Sequence, residues 1–322
     1  MIGSERSKPS ITMNDDRQTL IIIGGPTASG KSSLAVELAR HFDGEILNAD
    51  SMQVYRDMDV GTAKPSMAER KGIPHHLLDV VDPDEDFNAA IYRTLAVSRL
   101  KQIASKKKLC FVVGGTGLYI KTLLGGLIDC PPPVQALRDE LRQEYDDHGS
   151  GFLHERLRLL DPESALKIHP HDKIRIIRAL EIIHLAHERP SSLMRNHGFR
   201  NTPFRSLKIC LQIERKHLYH RINKRCQTMI ENGLLGETEN LLKEGYSPHL
   251  KSMMSLGYRH MIKHLEGAWD LDESLRRLQT DTRRYAKRQL TWFRADPEVI
   301  WMVPEEMENM IKTIEEFIGS GT

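Results

Sequence analysis

The sequence has no apolar run long enough to cross a bilayer. The stretch Leu20–Ile23 has only a strand's length, far below the ~20 residues a spanning helix needs. Residues 1–18 are polar and charged, without the apolar centre of a signal peptide. Cysteine is scarce: Cys110, Cys130, Cys210 and Cys226 are scattered, with no Cys-x-x-Cys pair. That excludes a disulfide framework and a zinc site, and it suits a reducing compartment. Excess charge of one sign is missing too. With 46 basic and 44 acidic residues the net charge is +2, which argues neither for nor against a nucleic-acid partner. No internal repeat or low-complexity tract occurs. A soluble, cytoplasmic chain without membrane contact is expected.

What is present describes an ordinary globular protein. At 322 residues, 39% of them hydrophobic, the chain can bury a large core, as one α/β domain with an insertion or as two domains. After a start (1–18) expected to lack structure, Thr19–Ile23 reads as a buried strand stopped by Gly24-Gly25. Ser32–His41 has helical spacing, Glu45–Leu47 is a second strand, Ala89–Ala104 a helix and Leu109–Val113 a third strand. This alternation predicts an α/β fold, a parallel sheet with helices on both faces. Cys130-Pro131-Pro132-Pro133 breaks the pattern, and only helices are expected from there to about Arg195. These are Val134–Asp146, Leu153–Leu160 and Ile174–His187. Leu207–Ile213 restores a strand, followed by helices over His217–Asn232, Leu235–Glu244, Met254–Leu265 and Leu271–Arg294. The domain reading is a core of 19–130 and 200–322 with a helical C-terminal part, and an all-helical insertion over 131–199.

Gly25-Pro26-Thr27-Ala28-Ser29-Gly30-Lys31-Ser32 follows a strand and opens a helix. That is the P-loop pattern in its required context. Glycines let backbone N–H groups turn inward, and a helix N-terminus adds positive potential where an anion rests. Lys31 supplies a full charge, Ser32 a hydroxyl for Mg2+, and Thr27 and Ser29 further hydroxyls. The motif specifies a phosphate chain, not which phosphate compound.

The acid that a nucleotide hydrolase carries at the end of a second strand is missing. Leu109–Val113 runs instead into Gly114-Gly115-Thr116-Gly117, either a tight turn or a second anion contact through Thr116. The carboxylate that does end a strand is Asp50, expected near the P-loop at the sheet's carboxyl edge, where ligands bind. It reads as a general base acting on an acceptor and, with equal right, as a helix N-cap.

A series of motifs in one order carries more. Besides the P-loop it includes Asp50-Ser51-Met52-Gln53-Val54-Tyr55, Met58–Pro65 (Met-Asp-Val-Gly-Thr-Ala-Lys-Pro) and Pro74–Asp79 (Pro-His-His-Leu-Leu-Asp). Val113–Tyr119, Ile174–Glu181, Ser255–His260 and Lys287–Trp292 complete it. The chain thereby resembles the tRNA dimethylallyltransferase (isopentenyltransferase) family from about residue 20 to about residue 295. The resemblance implies a P-loop NTPase-like fold repurposed to hold dimethylallyl diphosphate. The implied acceptor is N6 of adenosine 37 in the anticodon stem-loop of tRNA, beside the anticodon on its 3′ side. It implies Asp50 as catalytic aspartate, with Thr116 and Arg225 at the active site and residues Gly25 to Ser32 on the diphosphate. It further implies tRNA contacts at Asp50, Ser51, Met52, Gln53, Thr116 and Arg138. The same holds for Ile174, Arg175, Ile176, Ile177 and Arg178, and for Ser255, Leu256, Gly257, Tyr258, Arg259 and His260. His260 departs from the bacterial pattern, which more often has Gln or Glu there. Mg2+ is the expected cofactor and a monomer the expected state.

Basic residues suit an RNA partner. Arg205, Lys208, Arg215, Lys216, Arg221, Lys224 and Arg225 face one acid, Glu214, and Arg283, Arg284, Lys287, Arg288 and Arg294 lie on the last long helix. RNA contact is the preferred reading for these charges. For the interleaved aromatics Tyr285, Trp292 and Phe293 core packing is preferred over base stacking, on a helix whose core stripe runs through Leu275, Leu278, Tyr285, Ala286, Leu290 and Phe293. His75-His76 and His169-Pro170-His171-Asp172 lack the spacing of a metal site. The rival readings are a P-loop small-molecule kinase using ATP, an adenylate isopentenyltransferase, and an RNA-binding regulator with a vestigial P-loop.

Overall fold

The computed structural model describes residues 17–198 and 203–320. The expected unstructured start therefore lies outside the described residues as far as residue 16. The chain divides into two compact units, Gly125–Thr202 and the remainder.

The larger unit begins with β1 (Gln18–Gly24), α1 (Lys31–His41), β2 (Glu45–Asn48) and β3 (His75–His76). Next come α2 (Ala89–Ser105), β4 (Cys110–Val113) and α3 (Gly117–Gly125). The smaller unit is helical: α4 (Gln135–His148), α5 (Ser150–Leu160), α6 (Pro162–Lys167), α7 (Lys173–Ala186) and α8 (Pro190–His197). The larger unit resumes with β5 (Phe204–Leu211), α9 (Arg215–Glu231), α10 (Leu234–Lys243), α11 (Tyr258–Leu265) and α12 (Leu271–Arg294). It closes with β6 (Val299–Met302) and α13 (Met307–Gly319).

The six strands form one parallel sheet in the order β3-β2-β4-β1-β5-β6. Central β1 buries both faces. Leu20 and Ile22 join Leu47, Val112, Leu278 and Phe293 on one side. Ile21 and Ile23 join Leu34 and Leu38 of α1 and Met310 and Ile314 of α13 on the other. Each such side chain removed from water contributes about 1.5–3 kcal/mol. This two-faced burial is why β1 reads as an unbroken apolar run rather than an alternating one. β4 lies between β1 and β2, so the strand leading to Asp50 is one place removed from β1, yet all three end at the same edge.

The expectation of helices alone after the strand ending at Ile213 needs correction. Val299–Met302 adds a sixth strand beside β5, with Ile209 opposite Ile300. Leu207–Ile213 shifts to Phe204–Leu211, because β5 follows the full length of β1 from Phe204 opposite Gln18. The helix expected from Met254 starts only at Tyr258, since Gly257 at φ 95° cannot continue a right-handed helix.

In the helical unit Leu141, Leu153, Leu157, Ile176, Ile177 and Leu180 form the core. Buried Asp161 links two helix starts there. It accepts from the Ser164 and Ser191 amides at 3.2 and 2.9 Å and from their hydroxyls at 2.6 and 2.7 Å.

Candidate active site

The anion loop is built from left-handed backbone. Gly25 has φ 145° and Gly30, the N-cap of α1, φ 90°. No side chain caps α1 and its first turn carries no acid, so the orphan amides of the helix start remain for a ligand. Gly25, Pro26 and Ser29 are buried as the loop's floor, with Thr27, Ala28, Gly30, Lys31 and Ser32 partly exposed above. The Ser29 hydroxyl is enclosed and without a partner. Thr27, Lys31 and Ser32 line a pocket together with Asn48, Asp50, Gln53 and Arg225. Pro65 and Ala63 form another part of its wall.

Three charges meet around this pocket. Burial brings the Lys31 ammonium down to about 8, with the Asp50 charge opposing and the Arg225 charge adding to the effect. Burial also lowers Arg225, again opposed by Asp50. Among the described residues Asp50 forms no ion pair, so its charge is felt by both cations without being spent on either. Its Oδ1 accepts from the Met52 amide at 2.9 Å, an Asx turn; the helix N-cap reading fails because no helix follows. The Asn48 side chain holds the same turn, accepting from the Asp50 amide at 3.2 Å and donating to Leu77 O at 3.1 Å.

The Gly114–Gly117 turn braces this acid. Thr116 Oγ accepts from the Ser51 amide at 3.0 Å, and the Thr116 amide donates to Ala49 O at 3.2 Å. Thr116 thus serves as a clasp on the Asp50 turn. Gly114 presses against Ala49, where a Cβ would stand 2.1 Å from the Ala49 carbonyl oxygen. Burial, then the Asp50 charge, raises the Tyr285 phenol, whose hydroxyl lies against Thr116 and Gln289. Tyr285 is therefore bonded to the turn that braces Asp50, beyond the core role its spacing suggested. The Lys287–Trp292 motif contains Gln289 but assigns it no role; its place as a polar residue on the buried stripe of α12 was the signal.

The other sequence candidates divide by burial. Gln53 donates to Thr62 O and Ala63 O at 3.3 and 3.1 Å, holding the 58–65 loop against the pocket. Ser255 and Leu256 are partly exposed, whereas Gly257, Tyr258 and His260 are buried. The side chains of Tyr258 and His260 thus offer RNA no surface. Burial and the Arg259 charge bring His260 down to about 4 against the pull of Asp281, keeping the ring neutral. Arg259 pairs with Asp281 at 2.6 Å. In the helical unit Ile174 and Arg175 are exposed, while Ile176 and Ile177 are core. Arg138 and Arg178 both bind Glu181, at 2.9 and 2.5 Å, a carboxylate with no exposed surface.

Two basic residues expected to face RNA are used internally. Arg205 lies over Phe317, 4.2 Å from the ring centroid, and Lys208 pairs with Asp296 and Glu298 at 2.7 and 2.8 Å. Arg215, Lys287 and Arg294 do stand open. They line a second cavity of about 460 Å3, floored by Leu218, Leu290 and Trp301. Among the described residues no three His, Cys, Asp or Glu side chains converge on a metal position. His76 is instead bonded to Glu45 at 2.6 Å. An ion beside the loop would rest on the Ser32 hydroxyl and on ligand oxygens, which is how Mg2+ binds where phosphates supply most of its shell. No described helix is long and apolar enough to cross a membrane.

A parallel sheet, a glycine-turned loop and an uncapped α1 make this a P-loop α/β protein. Residues 53–296 match the family model described as IPP transferase, and the chain belongs to that family. It is 50% identical to tRNA dimethylallyltransferase 2 of Geotalea uraniireducens, over 95% of this chain and 99% of the relative. It is 47% identical to the tRNA dimethylallyltransferase of Desulfatibacillum aliphaticivorans, over 94% and 99%. Among solved structures, the tRNA isopentenylpyrophosphate transferase of Bacillus halodurans superposes with a TM-score of 0.71 at 36% identity, covering 95% of this chain and 98% of that one. A eukaryotic dimethylallyltransferase solved acting on tRNA superposes with a TM-score of 0.81 at 28% identity, covering 94% and 80%.

Proposed function

We propose that the protein transfers the dimethylallyl group of dimethylallyl diphosphate to N6 of the adenosine at tRNA position 37, next to the anticodon on its 3′ side. The reading is carried by one juxtaposition: Lys31 and Ser32 of the anion loop and the carboxylate of Asp50 line the same pocket. A carboxylate facing bound phosphates repels them, so its use lies with the incoming nucleophile.

The exocyclic amine of adenine is a weak nucleophile, its lone pair delocalised into the ring. In the proposed step N6 bonds to C1 of the allyl group while the C1–O bond to diphosphate breaks. The N6 proton passes to Asp50 and the electron pair leaves with diphosphate. Lys31, Arg225 and the free amides at the start of α1 stabilise that leaving charge. Mg2+ held by Ser32 and the diphosphate oxygens would supply further neutralisation. The adenine must leave its stack to reach the pocket. Ser51, Met52 and Gln53, beside Asp50, are then the first candidates to meet the base, and Arg215, Lys287 and Arg294 suit the RNA backbone. Ile174, Arg175, Ser255, Leu256 and Arg259 are further proposed contacts; Arg138, Ile176, Ile177, Arg178, Gly257, Tyr258 and His260 shape the segments that carry them. We take the working form to be a monomer.

Mass analysis of nucleosides from unmodified tRNA, incubated with the purified protein, Mg2+ and dimethylallyl diphosphate, tests the reading. One N6-dimethylallyladenosine per tRNA is expected, with no product from ATP or from free AMP. Phosphoryl transfer from ATP would favour the kinase reading, and prenylated AMP the adenylate transferase.

A further inference from the structure

We propose that Gln289 is a positioning residue that sets the separation between the anion loop and Asp50. This rests on the prenyl-transfer reading and adds a residue to it. Gln289 lies on α12 and is 4% exposed. Its Oε1 accepts from the Thr27 amide at 2.8 Å and its Nε2 donates to Gly115 O at 3.0 Å. One planar amide thus ties the loop after β1 to the turn after β4. The chain of bonds continues from that turn, since Thr116 accepts from the Ser51 amide at 3.0 Å, next to Asp50. The anion loop and the turn that carries Asp50 are thus joined through two side chains, Gln289 and Thr116.

The backbone is shaped to admit this contact. A Cβ on Gly115 would stand 2.0 Å from Gln289 Nε2, one on Gly24 2.8 Å from the Phe293 ring and one on Gly117 2.0 Å from Trp292. Three glycines, at the end of β1, in the turn after β4 and at the start of α3, thus lie under three neighbouring side chains of α12. Spending the Thr27 amide on Gln289 takes that donor away from the ligand, a cost that makes sense if loop position matters more than one further donor. Group transfer needs this: a displacement of 1 Å between reacting groups costs on the order of 10²-fold in rate. Asparagine is one methylene too short to span both partners, and glutamate loses the donor to Gly115.

The test compares the full chain with Gln289→Met, which keeps volume and loses both bonds, and Gln289→Glu, which keeps the acceptor for Thr27. Single-turnover rate, donor and tRNA affinity, melting temperature and hydrogen exchange of the 25–32 peptide are measured. We expect Gln289→Met to exchange faster at Thr27 and to lose on the order of 10²-fold in single-turnover rate, with tRNA affinity kept. Gln289→Glu should keep Thr27 protected and still lose rate. Unchanged rate in Gln289→Met overturns the proposal, as does a loss confined to tRNA affinity. Should Gln289→Met not fold, full rate in Gln289→Glu overturns it. Wild-type protein inactive with dimethylallyl diphosphate would overturn the functional reading instead, and unaltered Thr27 exchange in Gln289→Met would still overturn the clasp.

Discussion

The Tyr258 hydroxyl donates to Glu237 at 2.6 Å. The same carboxylate accepts from the amides of Asp59, Val60 and Gly61 at 3.0, 2.7 and 3.0 Å. Two segments far apart in sequence, the loop carrying Ala63 and Pro65 of the pocket wall and the start of α11, therefore share one anchor. Gly61 lies flat against the Tyr258 ring, where a Cβ would stand 2.4 Å from a ring carbon.

Gly61→Ala consequently forces the loop and α11 apart. Overpacking of this kind costs about 1–3 kcal/mol, read as a lower denaturant midpoint. Tyr258→Phe removes one of four donors and leaves the carboxylate satisfied by backbone, so its cost should stay near 1 kcal/mol. A Gly61→Ala protein as stable as wild type would show that the loop yields without strain.

In the helical unit Glu181 has no exposed surface and is bonded to Arg138, Arg178 and the Val134 amide. Burial alone would raise its pKa; the hydrogen bonds and charges of its partners outweigh that and lower it. Glu181→Ala leaves two guanidinium groups without their shared partner, a loss of about 3–5 kcal/mol. Hydrogen exchange should show the loss in α4 and α7. Unaltered protection there would mean that the arginines find other partners.

Lys31 titrates at about 8 in the free protein, its cation present below that pH and lost above it. The second-order rate with donor should therefore be flat up to about pH 8 and fall beyond it, since only the ammonium attracts diphosphate. Lys31→Arg holds its proton throughout and should abolish that fall, whatever its absolute rate. A wild-type profile flat to pH 10 would contradict the assigned charge state.

The sequence made much of this legible because the informative elements are local. β1, α1 and the P-loop follow from apolar runs and glycine positions, and α12 from helical spacing alone. Asp50 was visible as the acid ending a strand. The edge strands β3 and β6 were not: two and four residues long, they are defined by their neighbours. Nor could one sequence place β4 between β1 and β2, which depends on packing of the whole sheet. Gln289 and Tyr285 escaped because helix spacing states which face is buried, not which backbone turn that face meets. Arg205 and Lys208 looked like RNA ligands because Phe317, Asp296 and Glu298 lie about ninety or more residues further along.

The central claim is that Asp50 receives the proton from the acceptor amine while the loop around Lys31 holds the leaving diphosphate. Asp50→Asn keeps size and the Asx turn but removes the base. Single-turnover prenylation of tRNA by this variant, at saturating donor and with tRNA binding measured in parallel, is the direct test. A rate lowered by about 10²–10⁴-fold with tRNA affinity retained is the predicted result. A rate near that of the wild type would contradict the account.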